Sequence, residues 1–302
     1  MPPPTIQIDL ARAPDQRWLA LADQGSRINA LLAACGGPAL AILAEQDEVL
    51  AVVRAVMPAD HYDELAGLAR LAGVDERLLL LANCTYDLGK FRLGCSALAV
   101  ATGRGPLHGR NLDWWAPDDA LAAETLICRF INAPAGAFTT IGWPGYLGAL
   151  SGVAPGRFAV TLNAAFSDDP PVPRTPVACV LRRVLEEAAT YDEALATLTR
   201  TPLSTDCIIM LSGCRDDQLA VIERAPGRHA VRHAVGGVIM ATNDFLVLDQ
   251  RPGAFASEIH RTSCSRLARL AALAAAQPPR TPALLVFSAA TGLCEVEAVY
   301  LG

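Results

Sequence analysis

Lysine is almost absent from this 302-residue chain: Lys90 is the only one, and every other cation is arginine. That follows genomic composition bias, as the abundant alanine does. Cationic excess is also lacking, with 25 Lys+Arg against 31 Asp+Glu and a net charge of −6. Such a balance argues against a general nucleic-acid binder, because phosphate binding needs clustered cations. Charged residues are only 19% against 52% hydrophobic, which excludes a disordered chain. The nine cysteines include no Cys-x-x-Cys pair, and no histidine stands at zinc-ligand spacing from a cysteine pair. Odd in number and scattered, they do not form a disulfide scaffold. The reading is a reduced, cytoplasmic protein without metal or cofactor. Met1-Pro-Pro-Pro lacks the basic and apolar regions of a secretory signal. The longest apolar stretch, Ala30 to Ala44, is interrupted by Gly36, Gly37 and Pro38. It reads as too short and broken for a membrane span, so no stable membrane insertion is expected.

What is present has a clear order. Arg17 to Cys35 shows apolar residues at helical spacing and stops at Gly36-Gly37. Pro38 opens a second helix that runs to Val56. Asp60 is a candidate N-cap for a third helix over Asp63 to Leu71, ended by Gly73, and Glu76 to Asp87 follows. After Gly94 the texture changes to short apolar runs between Gly/Pro turns: 96–101, 107–112, 125–131, 137–141 and 158–162. Residues 176–200 return to helix, with Thr190 and Glu193 as a capping box. Strands resume at 207–211, 219–223 and 238–241, then a helix over Ser263–Ala276, then strands at 284–288 and 295–301. This is an α+β pattern without βαβ alternation.

The composition break falls at Gly94-Cys95. Two short strands joined by a Gly/Pro turn make a β-hairpin there. With Thr102–Pro106 as the loop, Ala101 pairs with Leu107 and Cys95 lies opposite Asp113. Strand alternation then puts Arg110 on the other face, so a bulge or strand-end geometry is needed for both to reach Cys95. A thiol at a strand start with a carboxylate and an arginine nearby is a candidate nucleophile site. By composition alone, a core cysteine beside a surface Arg–Asp pair is the more ordinary reading.

The segment Cys95 … Gly109-Arg110-Asn111-Leu112-Asp113 resembles the N-terminal-nucleophile (Ntn) hydrolases. The relevant branch holds the acid ceramidases, N-acylethanolamine acid amidases, bile-salt hydrolases, penicillin V acylases and isopenicillin N acyltransferases. The spacing is one residue shorter than that family's, within the turn. Leu78 to Leu88, Thr140-Ile-Gly-Trp-Pro-Gly-Tyr146, Phe158 to Asn163, Thr201-Pro-Leu, Thr242-Asn243-Asp244 and Asp249-Gln250-Arg251 are similar to family segments in the same order.

The resemblance implies an αββα four-layer sandwich made as an inactive precursor. The Gly94–Cys95 bond would be cut by Cys95 itself. Residues 1–94 would become a helical small chain that stays bound, and 95–302 the catalytic chain. The new α-amine, with a reference pKa of about 8, can take the thiol proton without a histidine base. By the same resemblance Cys95 is nucleophile and base, Asp113 holds the amine, and Arg110 lies near the thiolate. Asn243 donates to the oxyanion and Asn163 assists, the latter as in the bile-salt hydrolase branch; the ceramidase branch has an acidic pattern there. Arg251 is assigned with Arg261 and Arg266 as alternatives. Residue types alone also allow an Arg110–Asp113 salt bridge and turn roles for both asparagines. His108 reads as packing or solvent-facing. Trp114, Trp115, Trp143 and Tyr146 are candidates for an apolar acyl pocket.

The implied activity is hydrolysis of a linear non-peptide amide through a thioester, on a small-molecule N-acyl amide. The alternatives are an acyltransferase passing the acyl group to an amine, and a catalytically silent binding protein. A Ser hydrolase is disfavoured, because Ser151 in Gly148-Ala-Leu-Ser151-Gly152 misses the Gly-x-Ser-x-Gly spacing. A homo-oligomer is compatible with the sequence.

Overall fold

The computed structural model describes residues 3–89, 93–114, 116–248, 258–275 and 285–296. Trp115 and Asp249-Gln250-Arg251 lie outside them, as do most of the strand expected at 295–301.

Two sheets form the centre. Their strands are β1 (Thr5–Asp9), β2 (Leu93–Val100), β3 (Leu107–Trp114), β4 (Leu126–Ile131), β5 (Phe138–Gly142), β6 (Ser151–Ala154) and β7 (Phe158–Ala164). Then come β8 (Cys207–Ser212), β9 (Leu219–Ala225), β10 (Arg228–His233), β11 (Val238–Ala241), β12 (Leu285–Ser288) and β13 (Leu293–Val296). The larger sheet has the order β1-β4-β5-β6-β7-β8-β9-β10, the smaller β11-β2-β3-β12-β13.

Period-2 alternation sorts their side chains between layers. Phe158, Val160 and Leu162 of β7 and Ile209 and Leu211 of β8 pack with α7 (Val177–Glu187) and α8 (Tyr191–Arg200). Ile208 and Met210 turn the other way, onto Ala97 and Ala99 of β2 and Ile239 of β11. Helix α9 (Glu258–Ala275) covers the far side of the smaller sheet. The expected four-layer sandwich is therefore present. Half of the capping box forms: Glu193 N–H donates to Thr190 Oγ1 at 3.1 Å, while the Glu193 carboxylate accepts from Ala189 N–H at 2.8 Å instead of from Thr190.

The first third is helical, with one strand besides. Its helices are α1 (Gly25–Ala44), α2 (Asp47–Val56), α3 (Ala59–Ala72), α4 (Glu76–Asn83) and α5 (Thr85–Gly89). The expected break at Gly36-Gly37-Pro38 is a kink inside α1, where Gly37 takes φ 48° and ψ −148°. At 20 residues with mean hydropathy 1.5, α1 is long and apolar enough to cross a membrane, contrary to the sequence reading. It packs into the core through Ile28, Leu31, Leu40 and Ala44. Asp60 is no cap: Pro58 precedes α3 and Asp60 sits in its first turn. Gly73 ends α3 in the left-handed conformation, as expected.

β1, which the sequence reading missed, runs parallel to β4 in register Thr5↔Ile127 to Asp9↔Ile131. Nearby, Trp18 meets Phe130 edge-on, and Phe130 stacks on Phe138. Each such buried ring contributes roughly 2–3 kcal/mol by area. Residues 3–89 thus share the main core with the larger sheet, while the side chains between the two sheets form separate clusters.

Candidate active site

The register of the β2–β3 hairpin decides what surrounds Cys95. Val100 pairs with Leu107, Ala97 with Arg110, Cys95 with Leu112 and Gly94 with Asp113. This is one residue off the sequence expectation, because the loop begins at Ala101 instead of Thr102. The Asp216 carboxylate holds that loop, accepting from the N–H of Thr102 (3.1 Å) and Gly103 (2.7 Å). A slip of one residue exchanges the two faces of a strand. Arg110 therefore shares the inter-sheet face with Cys95 and needs no bulge. Asp113 takes the opposite face, beside Gly94: a Cβ on Gly94 would lie 3.3 Å from Asp113 Cβ.

Cys95 is buried between the sheets. Arg110, also buried, donates through Nη2 to Cys95 Sγ at 3.7 Å and to Leu162 O, and through Nη1 to Ser151 Oγ at 2.6 Å. Charge-assisted bonds of this kind hold the guanidinium where it favours negative charge on Cys95 Sγ. Ser151, weighed in the sequence only as a rival nucleophile, instead positions Arg110.

Cys95 N–H donates to Asn243 Oδ1 at 3.0 Å. Asn243 in turn donates through Nδ2 to Ala164 O at 2.7 Å, and its own N–H goes to Ser263 Oγ at 3.0 Å. Here Asn243 faces Cys95 as an acceptor, and one of its two amide N–H groups serves Ala164. The Asn163 side chain makes no hydrogen bond to Cys95. Its Nδ2 donates to Thr242 O (3.0 Å) and Ala241 O (3.2 Å), which holds the strand end carrying Asn243. Its Oδ1 is buried without a hydrogen bond.

Of the three arginines weighed, Arg266 of α9 comes to the site. It donates to Cys95 O, to Ser96 Oγ at 3.0 Å and to Asn243 Oδ1 at 2.6 Å. Arg261 is exposed, and Arg251 lies outside the described residues. Asp113 keeps solvent access, yet burial raises its carboxyl above the ordinary value, against the pull of Arg266 and Arg110. His108 is fully buried between Ser212 Oγ (3.0 Å) and Thr161 Oγ1 (2.9 Å). Burial, with Arg110 nearby, pushes its pKa down to about 3, so it is a neutral packing residue.

Trp114, Trp143 and Tyr146 come together as expected. Trp143 meets Trp114 at 5.6 Å and Tyr146 at 5.7 Å, both edge-on. All three line a small apolar cleft whose other wall is Ile28, Leu31 and Leu40 of α1 with Leu79 of α4. Trp114 extends from the same face of β3 as Arg110 and Leu112, so the cleft adjoins the Cys95 face of the hairpin.

Two facing sheets between helical layers, with a thiol near the start of an inner strand, define the Ntn fold. The structure of a Caenorhabditis elegans N-acylethanolamine-hydrolyzing acid amidase ortholog shares it, at a TM-score of 0.50 and 21% identity over 65% of this chain and 93% of that one. The family model described as acyl-coenzyme A:6-aminopenicillanic acid acyl-transferase matches residues 100–287, and the chain belongs to that family. The match includes Arg110, Asp113, Asn163, Asn243 and Arg266 and begins after Cys95. The chain is 26% identical over 242 residues to the N-acylethanolamine-hydrolyzing acid amidase of Mus musculus, covering 74% of this chain and 65% of that protein. It is also 26% identical over 254 residues to the acid ceramidase of Rattus norvegicus, covering 74% and 64%. The chain thus spans just under two thirds of the length of these curated relatives.

Proposed function

We propose that this protein is a self-processing thiol amidohydrolase acting on a linear N-acyl amide with an apolar acyl chain. One observation carries the reading: Cys95 Sγ faces the Arg110 guanidinium while its own N–H is held by Asn243, directly after Gly94. In the precursor the thiol adds to the Gly94 carbonyl. The N–C bond breaks as the S–C bond forms, and water hydrolyses the resulting thioester. This frees the Gly94 carboxylate and the Cys95 α-amine, which stays at Asn243 Oδ1.

In turnover that amine takes the thiol proton, the sulfur attacks the substrate carbonyl, and the proton passes to the departing amine. Water then releases the acyl group from Cys95. Asp113, across Gly94, is placed to hold the new ammonium. Arg266 anchors the Cys95 carbonyl and Asn243 during both reactions. The acyl chain enters by the cleft of Trp114, Trp143 and Tyr146, whose apolar lining suits a hydrocarbon. The amidase relatives favour water over an amine as acceptor. The scattered cysteines, none in a Cys-x-x-Cys pair, fit a reducing, cytoplasmic setting.

Denaturing electrophoresis with N-terminal sequencing tests the processing. Wild type gives two fragments, the larger beginning at Cys95, and Cys95→Ala stays intact. A panel of N-acylethanolamines and ceramides, with and without a competing amine, tests the reaction. Wild type releases free fatty acid and Cys95→Ala does not. Equal fragments and equal activity in both proteins would overturn the proposal.

A further inference from the structure

A second cluster of chemistry-bearing side chains lies away from Cys95, where α3 meets α7. His61 is 2% exposed, and neither ring nitrogen has a hydrogen-bond partner. A buried imidazole left in this state is costly, and native structures rarely keep one without a reason. The approaching groups are carboxylates. Glu186 Oε2 stands 4.0 Å from His61 Nε2, beyond hydrogen-bond length, and Asp60 precedes His61 on α3. One ligand atom from each of Asp60, His61 and Glu186 lies within 4.8 Å of the others.

Charge at the cluster is distributed to leave these atoms available. Glu186 Oε1 accepts from Arg182 Nε at 2.8 Å, which leaves Oε2 turned to His61. Arg182 is shared with the fully buried Glu64. Arg183 lies 3.7 Å from Asp60 and 3.4 Å from Glu187. The 4.0 Å spacing of His61 Nε2 and Glu186 Oε2 leaves room for an ion with bonds of about 2.0–2.2 Å after a small contraction.

We propose that Asp60, His61 and Glu186 form a divalent transition-metal site, with zinc the fitting ion. One imidazole and two carboxylates suit Zn²⁺ in preference to Mg²⁺, and the half-exposed side at Asp60 leaves a fourth position for water. The site joins α3 of the N-terminal segment to α7 of the catalytic segment. Bound zinc therefore clamps the two together, whether or not the Gly94–Cys95 bond is cut. The sequence carries no recognisable ligand spacing here, because His61 and Glu186 are far apart in the chain.

The test uses the whole protein, freed of metal by chelation and reloaded with zinc. Elemental analysis after desalting should find one zinc per chain, and thermal unfolding should shift upward with zinc and not with magnesium. His61→Asn and Glu186→Gln should each lose that zinc and the shift, while Asp47→Asn, at an exposed carboxylate outside the cluster, keeps both. Because the chain has nine thiols, cobalt replaces zinc in a parallel measurement. Its visible spectrum should lack a thiolate charge-transfer band. No retained metal, a thiolate band, or equal zinc in the His61→Asn protein would overturn the site. So would a His61-dependent stability that follows pH alone and ignores zinc.

Discussion

Glu64→Gln is the substitution expected to cost most for the fewest atoms changed. Glu64 is fully buried and accepts four hydrogen bonds: two from Arg182 at 2.7 Å each, one from Arg17 at 2.6 Å and one from Trp18 Nε1 at 2.7 Å. Burial alone would raise its carboxyl; the Arg182 guanidinium, with help from His61 and Trp18, outweighs that and brings it from 4.5 to about 2. By linkage, that depression is worth about 3 kcal/mol at neutral pH. Removing one partner of a buried ion pair costs roughly 3–5 kcal/mol, because the other charge is left uncompensated. The two routes agree.

The pH sign follows from a depressed acid. The contribution is complete above the unfolded value near 4.5 and is lost as pH falls through about 2. At pH 3 roughly 1 kcal/mol remains. Urea unfolding read by tryptophan fluorescence measures this, with Trp18 bonded to Glu64 as a local reporter. Both proteins should carry Cys95→Ala, so that neither is cut. A difference under about 1 kcal/mol at pH 7, or one equally large at pH 3 and pH 7, would refute the reasoning.

Other outcomes follow from the same geometry. His108, with a pKa near 3, should stay neutral from pH 8 to pH 5 in a nitrogen-correlated NMR titration; a midpoint near 6.5 would contradict its enclosure. Gly67→Ala should destabilise by roughly 1–3 kcal/mol in urea unfolding, since its Cβ would lie 2.4 Å from Asp15 Cα, a backbone atom of the segment before α1. Arg266→Met should slow self-cleavage at least about tenfold in a time course of fragment appearance. The lost charge-assisted bonds to Asn243 and Cys95 O are worth about 1.5 kcal/mol or more. Trp143→Ala should raise KM for long acyl chains more than for short ones, because the ring forms one wall of the cleft.

The layered architecture was legible because its parts are local. The strands after Gly94 are short apolar runs between turns, and Thr190 with Glu193 marks a helix start within four residues. What stayed hidden depends on distant partners. The hairpin loop starts one residue early because Asp216 holds Thr102 and Gly103 from the other sheet. That slip is what exchanges Arg110 and Asp113 between faces. β1 has only five residues, and β10 is rich in arginine and histidine, so neither shows the apolar signature of a strand. Asn243 was visible as part of a motif, but which end of its amide meets Cys95 depends on Ala164 O accepting from Nδ2. Arg266 was one of three arginines in sequence; the packing of α9 on β2 selects it.

The pairing of β1 with β4 has a consequence for how the two pieces of a cut chain would behave. β1 completes an edge of the larger sheet, and Trp18 closes the core against Phe130. The small piece cannot leave without opening that edge and exposing those rings, so dissociation and unfolding are one process with one free energy. Dilution alone should not separate the pieces, whereas denaturant should release and unfold them together. Nor would the segments 1–94 and 95–302, made as separate polypeptides, each find a native shape alone. A cut at Gly94–Cys95 would therefore have to follow folding, so that the completed fold would be the condition for exposing the Cys95 amine.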